Sequence, residues 1–298
     1  MSGSGSPTLQ TFANSHLSQR YSYFAYPSPH IYLHQLLPAQ IYQQIKFPDI
    51  PVRGMGRSGR DLFVGEPGWA EATSSVGFQE LNALFTSAEF VAWVLSVFEA
   101  DLVRYHCRAR ADSVRLIPYL ESREALDSAP DVLDETADPS EVFTRFDYTI
   151  GGASYTSYAH LDSPRRIVGG VLFFSDAEKD QIDGGEFTLY QDLLFRDDRL
   201  PHWPHASKKI PVKDNTGVLF LNCNRAFHGP SAIRSMKGAR KWIYYSISSR
   251  NRVWDRRPQT FLRAFATRAT EKGLRVLGFH PEVPMEPKSK LDANALEK

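Results

Sequence analysis

From residue 143 onward the apolar positions either alternate with polar ones or run together in short stretches. These are 143–150, 154–161, 166–174, 186–190, 209–212, 218–222 and 240–248, with Gly151-Gly152 and Gly184-Gly185 as turns between them. Short stretches rich in β-branched and aromatic residues and bounded by glycine are strand signals. Many of them at close spacing predict an all-β sandwich or barrel, here of jelly-roll type. The preceding part of the chain has a different period. Phe90, Val91, Val94, Leu95, Phe98 and Leu102 fall on one helical face after Ser87, a serine suited to cap the first turn. The pattern predicts helices over 78–85 and 87–105, a strand at 30–34, a short helix over 39–46 entered at Pro38, and a strand over 113–120. The expected fold class is therefore mainly β, a jelly roll with N-terminal helices acting as scaffold on its major sheet.

Other segments carry weaker patterns. Residues 1–20 are rich in Ser, Gly and Asn and are expected to form a flexible leader. Residues 51–68 are Gly- and Arg-rich and read as an exposed loop, 121–141 as an acidic surface excursion, and 192–207 as an irregular insertion. A helix is expected over 258–272 and a disordered Pro/Lys-rich tail over 280–298. At 298 residues, the chain suits a single domain over 21–275, with a helical scaffold at about 36–106 and a β core at about 143–250.

Composition narrows the partners. A net charge of +1 offers no basic excess to neutralise phosphates, so no nucleic-acid partner is expected. No apolar run reaches the length of a membrane span, and the first residues lack a signal peptide's basic and apolar regions. Cys107 and Cys223 have no Cys-x-x-Cys context, which fits a reducing compartment. A cytoplasmic protein is the expectation; oligomeric state is not legible.

The candidate chemistry lies in the β half. His160 and Asp162 sit two apart on one strand and so face the same way, with Tyr158 beside them. His228 follows 66 residues after Asp162, and Arg240 follows 12 residues after His228. Two imidazoles and a carboxylate are the facial ligand set of non-haem Fe(II) oxygenases, which leaves positions open for other ligands. His280 and Glu282 have the same spacing but no strand context and no later histidine. An arginine is suited to hold the far carboxylate of a diacid such as 2-oxoglutarate; Arg240 opens a strand after Gly238, and Lys237 is the alternative.

These residues resemble the prolyl 4-hydroxylase-like branch of the Fe(II)/2-oxoglutarate-dependent dioxygenases. The resemblance rests on Tyr158-Ala-His160-Leu-Asp162-Ser-Pro164, Gly184-Gly-Glu186-Phe-Thr-Leu-Tyr190, His228-Gly229 and Gly238-Ala-Arg240, and extends over about 27–250. It implies a double-stranded β-helix (jelly roll, cupin-like) and an oxygenase using Fe(II), 2-oxoglutarate and O2, with ascorbate as an optional addition. It implies His160, Asp162 and His228 as metal ligands and Arg240 as the 2-oxoglutarate anchor. Where several relatives carry a tyrosine on the next strand, this chain reads Val171-Leu-Phe173-Phe174. Tyr158, Thr188, Tyr190 and Tyr244 are the candidates to supply the missing hydroxyl.

A carboxylate at Asp162 implies hydroxylation rather than halogenation, because related halogenases have a small residue there. Arg165, Arg166, Arg196 and Trp203 are candidate substrate contacts, favouring a small anionic or zwitterionic molecule: an amino acid, a sugar acid or a natural-product intermediate. The alternatives are a peptidyl-prolyl or other protein side-chain hydroxylase, with 51–68 as a peptide clamp, and a non-catalytic cupin-like binding module. Structural zinc is disfavoured, since such sites are closed and sulfur-rich.

Overall fold

The computed structural model describes residues 17, 20–47, 59–62, 65–66, 68–119, 133–152, 159–192 and 204–255. The helix expected over 258–272, the tail, Arg196, Trp203 and Tyr158 lie outside the described residues, as do most of the leader and of the acidic excursion.

Two sheets face each other. The larger is assembled from β1 (Tyr21–Phe24), β2 (His30–Leu33), β3 (Gly59–Leu62), β4 (Arg115–Leu116), β5 (Glu141–Gly151), β6 (Arg166–Phe173), β9 (Thr216–Leu221) and β11 (Arg240–Ser249). Its order is β1-β2-β9-β6-β11-β5-β3, with β4 alongside β5. The smaller sheet has the order β10-β7-β8, from β7 (Phe187–Asp192), β8 (Pro204–Ile210) and β10 (His228–Pro230). An antiparallel bridge between His160 and His228 extends its edge, through amide–carbonyl bonds of 3.0 Å in both directions.

Alternation along β11 separates two environments. Tyr245 points to the outer face, where its ring meets Phe85 at 5.5 Å and Phe90 at 5.8 Å. Those phenylalanines belong to α3 (Val76–Phe85) and α4 (Ala88–Val97), which follow the short α1 (Ala39–Tyr42) and α2 (Trp69–Ala72). Ser87 caps α4 as its position predicts, accepting the Phe90 amide at 3.1 Å. The six apolar positions of the predicted stripe are all buried. The single helix expected over 87–105 is instead divided at Phe98, after which α5 (Glu99–Arg104) follows.

Other differences have local causes. Leu17, in the expected leader, is buried in the core. The segment read as the loop 51–68 contains β3, antiparallel to β5; Gly and Arg give no hydrophobic period to detect it. The expected strand 113–120 shrinks to β4, which pairs with only two residues of β5.

The inner faces carry the site. Arg145, Ser246, Gly169, Phe220, His30 and Phe24 stand in register across the larger sheet. Opposite them, His160, His228, Leu189 and Lys208 stand in register across the smaller one. The rows touch where Phe220 meets His228, with ring centroids 4.2 Å apart, and where the Lys208 amine lies 3.2 Å from the Phe24 ring centre. Burial draws the Lys208 amine down to about 8.

His30, fully buried, donates from Nδ1 to the Ser28 carbonyl at 2.7 Å. Burial lowers its pKa to about 4, against the opposing effect of that bond and with a smaller contribution from the Lys208 charge. The unfolded chain therefore takes up a proton near pH 6.5, where the folded one does not. Stability should fall between pH 6.5 and 4, by about 1.4 kcal/mol per pH unit for each such histidine. Urea denaturation at pH 7 and pH 4.5 measures this, and His30→Phe should flatten the slope; an unchanged slope would remove His30 as its source.

Candidate metal centre

His160 and Asp162 lie on the segment that leads into β6, and His228 opens β10. The bridge between the two histidines fixes their backbones side by side, and the chain between His160 and Asp162 turns the carboxylate toward both rings. Nε2 of His160 is 3.7 Å from Asp162 Oδ1, and Nε2 of His228 is 3.7 Å from Asp162 Oδ2. The three potential ligand atoms lie within 4.8 Å of one another, a group able to hold a metal ion. Cis ligands on an octahedral ion at about 2.1 Å lie roughly 3 Å apart, so small side-chain movements would close the set around one.

The donor chemistry suits a borderline cation. His228 donates Nδ1–H to the Ala226 carbonyl at 3.0 Å, leaving the lone pair on Nε2 toward Asp162, a tautomer fixed by an outer partner. Burial, partly offset by Asp162, lowers the His228 pKa to about 4 and keeps the ring neutral. Burial by itself would raise Asp162, but Arg166, the two histidines and a Tyr244 hydrogen bond hold it well below the usual carboxylate range. His160 is 44% exposed while the side chains of His228 and Asp162 are 7% and 6% exposed. Access to the group is therefore past His160.

Arg166 and Tyr244 also engage Asp162. Arg166 Nη1 pairs with Oδ1 at 2.7 Å, and the Tyr244 hydroxyl donates to Oδ2 at 3.1 Å. Burial pushes the Tyr244 phenol up, so it stays a donor. Its ring lies between two guanidiniums, those of Arg145 and Arg166, each 5.2 Å from the ring centre. Arg145 in turn pairs with Asp147.

Gly169 makes this approach possible. A Cβ there would lie 2.5 Å from Phe220 Cζ and 3.1 Å from Asp162 Oδ2. Gly169→Ala should displace Phe220 from His228 and weaken metal binding about tenfold, consistent with about 1–3 kcal/mol of overpacking strain. Titration with Mn(II) measures it, and wild-type affinity would refute the steric account.

Arg240 is 2% exposed. Its guanidinium carbon lies 4.2 Å from the Trp242 ring centre and 5.5 Å from that of Phe173. Gly185, at φ +75, leaves the space it occupies: a Cβ there would be 3.1 Å from Arg240 Cδ. Arg240, Trp242 and Tyr244 share the inner face of β11, so Arg240 is placed farther along the same wall as the phenol on Asp162.

Arg166, a candidate substrate contact in the sequence, is the ion partner of Asp162. Arg165 is 8% exposed, and its carbonyl accepts the Ser249 amide at 2.9 Å. Thr188 lies next to Leu189, the residue in register with His228, and so on the opposite strand face, with its hydroxyl 3.4 Å from the Glu186 carbonyl. Tyr190 follows a register shift, its amide bonded to Phe227 at 2.8 Å. Among the described hydroxyl candidates, Thr188, Tyr190 and Tyr244, the one hydrogen-bonded to a triad residue is Tyr244. The i, i+2, i+4 spacing of Arg240, Trp242 and Tyr244 was its sequence signal, and Gly169-Gly170 within a strand was the signal for close approach.

The sequence matches no family model and no curated protein. Among solved structures, similarity is to oxygenases. A 2OG-Fe(II) oxygenase family oxidoreductase from Burkholderia pseudomallei aligns over 86% of this chain and 96% of its own, at 15% identity and TM-score 0.38. A Trichoplax adhaerens prolyl hydroxylase, in complex with a hypoxia inducible factor oxygen degradation domain peptide fragment, aligns over 80% and 90%, at 10% identity and TM-score 0.39. A Pseudomonas putida prolyl-4-hydroxylase aligns over 80% and 98%, at 15% identity and TM-score 0.32. Among the described residues, no helix is long and apolar enough to cross a membrane.

Proposed function

We propose that the protein is an Fe(II)- and 2-oxoglutarate-dependent oxygenase on a double-stranded β-helix, hydroxylating a C–H bond of a small anionic or zwitterionic molecule. The observation that carries this reading is the convergence of His160, Asp162 and His228 on one point of the inner face, with Arg240 buried farther along β11. When bound, the iron supplies the site where dioxygen and the keto acid react, one oxygen atom going to the substrate carbon and the other to succinate as CO2 leaves.

The remaining work falls to side chains. His160, Asp162 and His228 hold the ion. Arg166 and Tyr244 fix the carboxylate, and the Ala226 carbonyl fixes the His228 tautomer. Four residues of strand separate Arg240 from Tyr244, roughly 13 Å at about 3.3 Å per residue. The long arginine side chain can reach back over part of that interval, so a five-carbon diacid suits the remainder. Its planar fork can take both oxygens of the far carboxylate. Phe173, Phe187, Phe220 and Trp242 give the interior apolar walls that exclude water.

The test is succinate formation by the full chain with ferrous ion and 2-oxoglutarate, with candidate free acids and peptides added in turn. Iron-dependent succinate, stimulated by a free acid, is expected. No iron-dependent succinate would refute the oxygenase reading; stimulation by peptides alone would make the protein a peptidyl-prolyl or other protein side-chain hydroxylase.

A further inference from the structure

A cavity of about 690 Å³ lies against β5, within the range of small-molecule sites. Trp69, Leu116, Ile117, Pro118, Tyr119 and Phe146 make most of its wall apolar and aromatic. Among the described residues lining it, the charged ones are Arg145 and Asp147, one cation and one anion. Both are nearly buried, with side chains 13% and 5% exposed, and they pair with each other. They stand in register with Ser246 and Tyr244, so their side chains are on the inner face of the larger sheet. The pair is thus common to the cavity and to the wall that carries Tyr244 and, through it, Asp162.

We infer that this cavity takes a free amino acid with an apolar side chain, its carboxylate on Arg145 and its ammonium on Asp147. The binding claim stands by itself and does not depend on the oxygenase reading above.

The physical case is one of exchange. A buried ion pair cannot lose one partner without leaving a desolvated charge. A zwitterion replaces the Arg145–Asp147 contact with two charge-assisted contacts and leaves neither side chain unmatched. An ester or an N-acylated amino acid satisfies only one of the two, and an internal peptide residue neither. The apolar walls then accept the side chain. The Arg145 guanidinium lies 5.2 Å from the Tyr244 ring centre, and the Tyr244 hydroxyl is 3.1 Å from Asp162.

The experiment is calorimetric titration of the metal-free full chain with free L-leucine, L-isoleucine, L-proline and L-phenylalanine, and with the methyl ester and N-acetyl form of each. At least one free amino acid should bind, with both blocked forms at least tenfold weaker. The double variant Arg145→Gln/Asp147→Asn removes both charges of the pair together; it should keep its Mn(II) stoichiometry and lose at least tenfold in affinity for that amino acid. The inference is overturned if none of the four binds, if blocked forms bind as tightly as free ones, or if the double variant binds like the wild type. Should the double variant not fold, the wild-type discrimination between free and blocked forms decides. Amino-acid binding without iron-dependent succinate would refute the oxygenase reading alone; succinate formation without amino-acid binding would refute this inference alone.

Discussion

Asp162→Asn should abolish iron-dependent succinate formation and also destabilise the metal-free protein. Both effects follow from the same carboxylate. It is the one anion among the three metal-binding groups, and it receives Arg166 at 2.7 Å and the Tyr244 hydroxyl at 3.1 Å. Losing an outer partner of a metal ligand typically costs 10–100-fold in affinity or activity, so losing the ligand should cost more than about 100-fold. The amide preserves shape but removes the carboxylate charge that pairs with the Arg166 guanidinium, in a side chain 15% exposed. Removing one partner of a buried pair costs about 3–5 kcal/mol. Metal titration and urea denaturation of the metal-free chain report the two effects separately. A variant that bound Mn(II) like the wild type would sink the ligand assignment; one that unfolded at the same urea concentration would show that the Arg166 pair contributes nothing.

The second large effect is expected at Arg240. Arg240→Met keeps an unbranched side chain between Phe173 and Trp242 and in the space left by Gly185, so the fold should persist. Two charge-assisted hydrogen bonds to a carboxylate would be lost, each worth about 1.5–3 kcal/mol. The KM for 2-oxoglutarate should rise by about 100-fold or more, with kcat at saturation changed far less. Arg240→Lys should fall between, since an ammonium provides charge without the planar fork. Steady-state kinetics across 2-oxoglutarate concentration gives the split. An unchanged KM would move the anchor elsewhere, Lys237 being the alternative read from the sequence.

Much of this was legible before any coordinates. The strands expected at 143–150, 166–174, 218–222 and 240–248 lie close to where their apolar runs put them, because both of their faces are largely buried; 154–161 lies mostly outside the described residues, and β8 begins before the expected 209. Ser87 and the stripe behind it were legible because one helical face meets the core. The metal group was legible because residues two apart on an extended segment share a direction, and the bridge between His160 and His228 supplied the third ligand. What escaped was pairing by charge and by contact across strands. Arg166 looks like any arginine near a cleft until β6 sets its side chain on Asp162. Arg145 and Asp147 are one face of an ordinary alternating strand until β11 brings Tyr244 beside them. Thr188 is a hydroxyl candidate in the sequence because composition cannot say which of its sides turns inward; the register of Leu189 with His228 does.

The pairing of Arg166 with Asp162 bears on the order in which the centre assembles. A carboxylate that already has its own cation attracts a divalent ion less strongly than a bare one, so the empty pocket is close to electrically neutral and tolerable in the folded chain. A divalent ion held there would leave the same pocket with a surplus of two positive charges. It would then favour a doubly negative companion over a neutral one, so under the proposed function the ion is expected first and the diacid second.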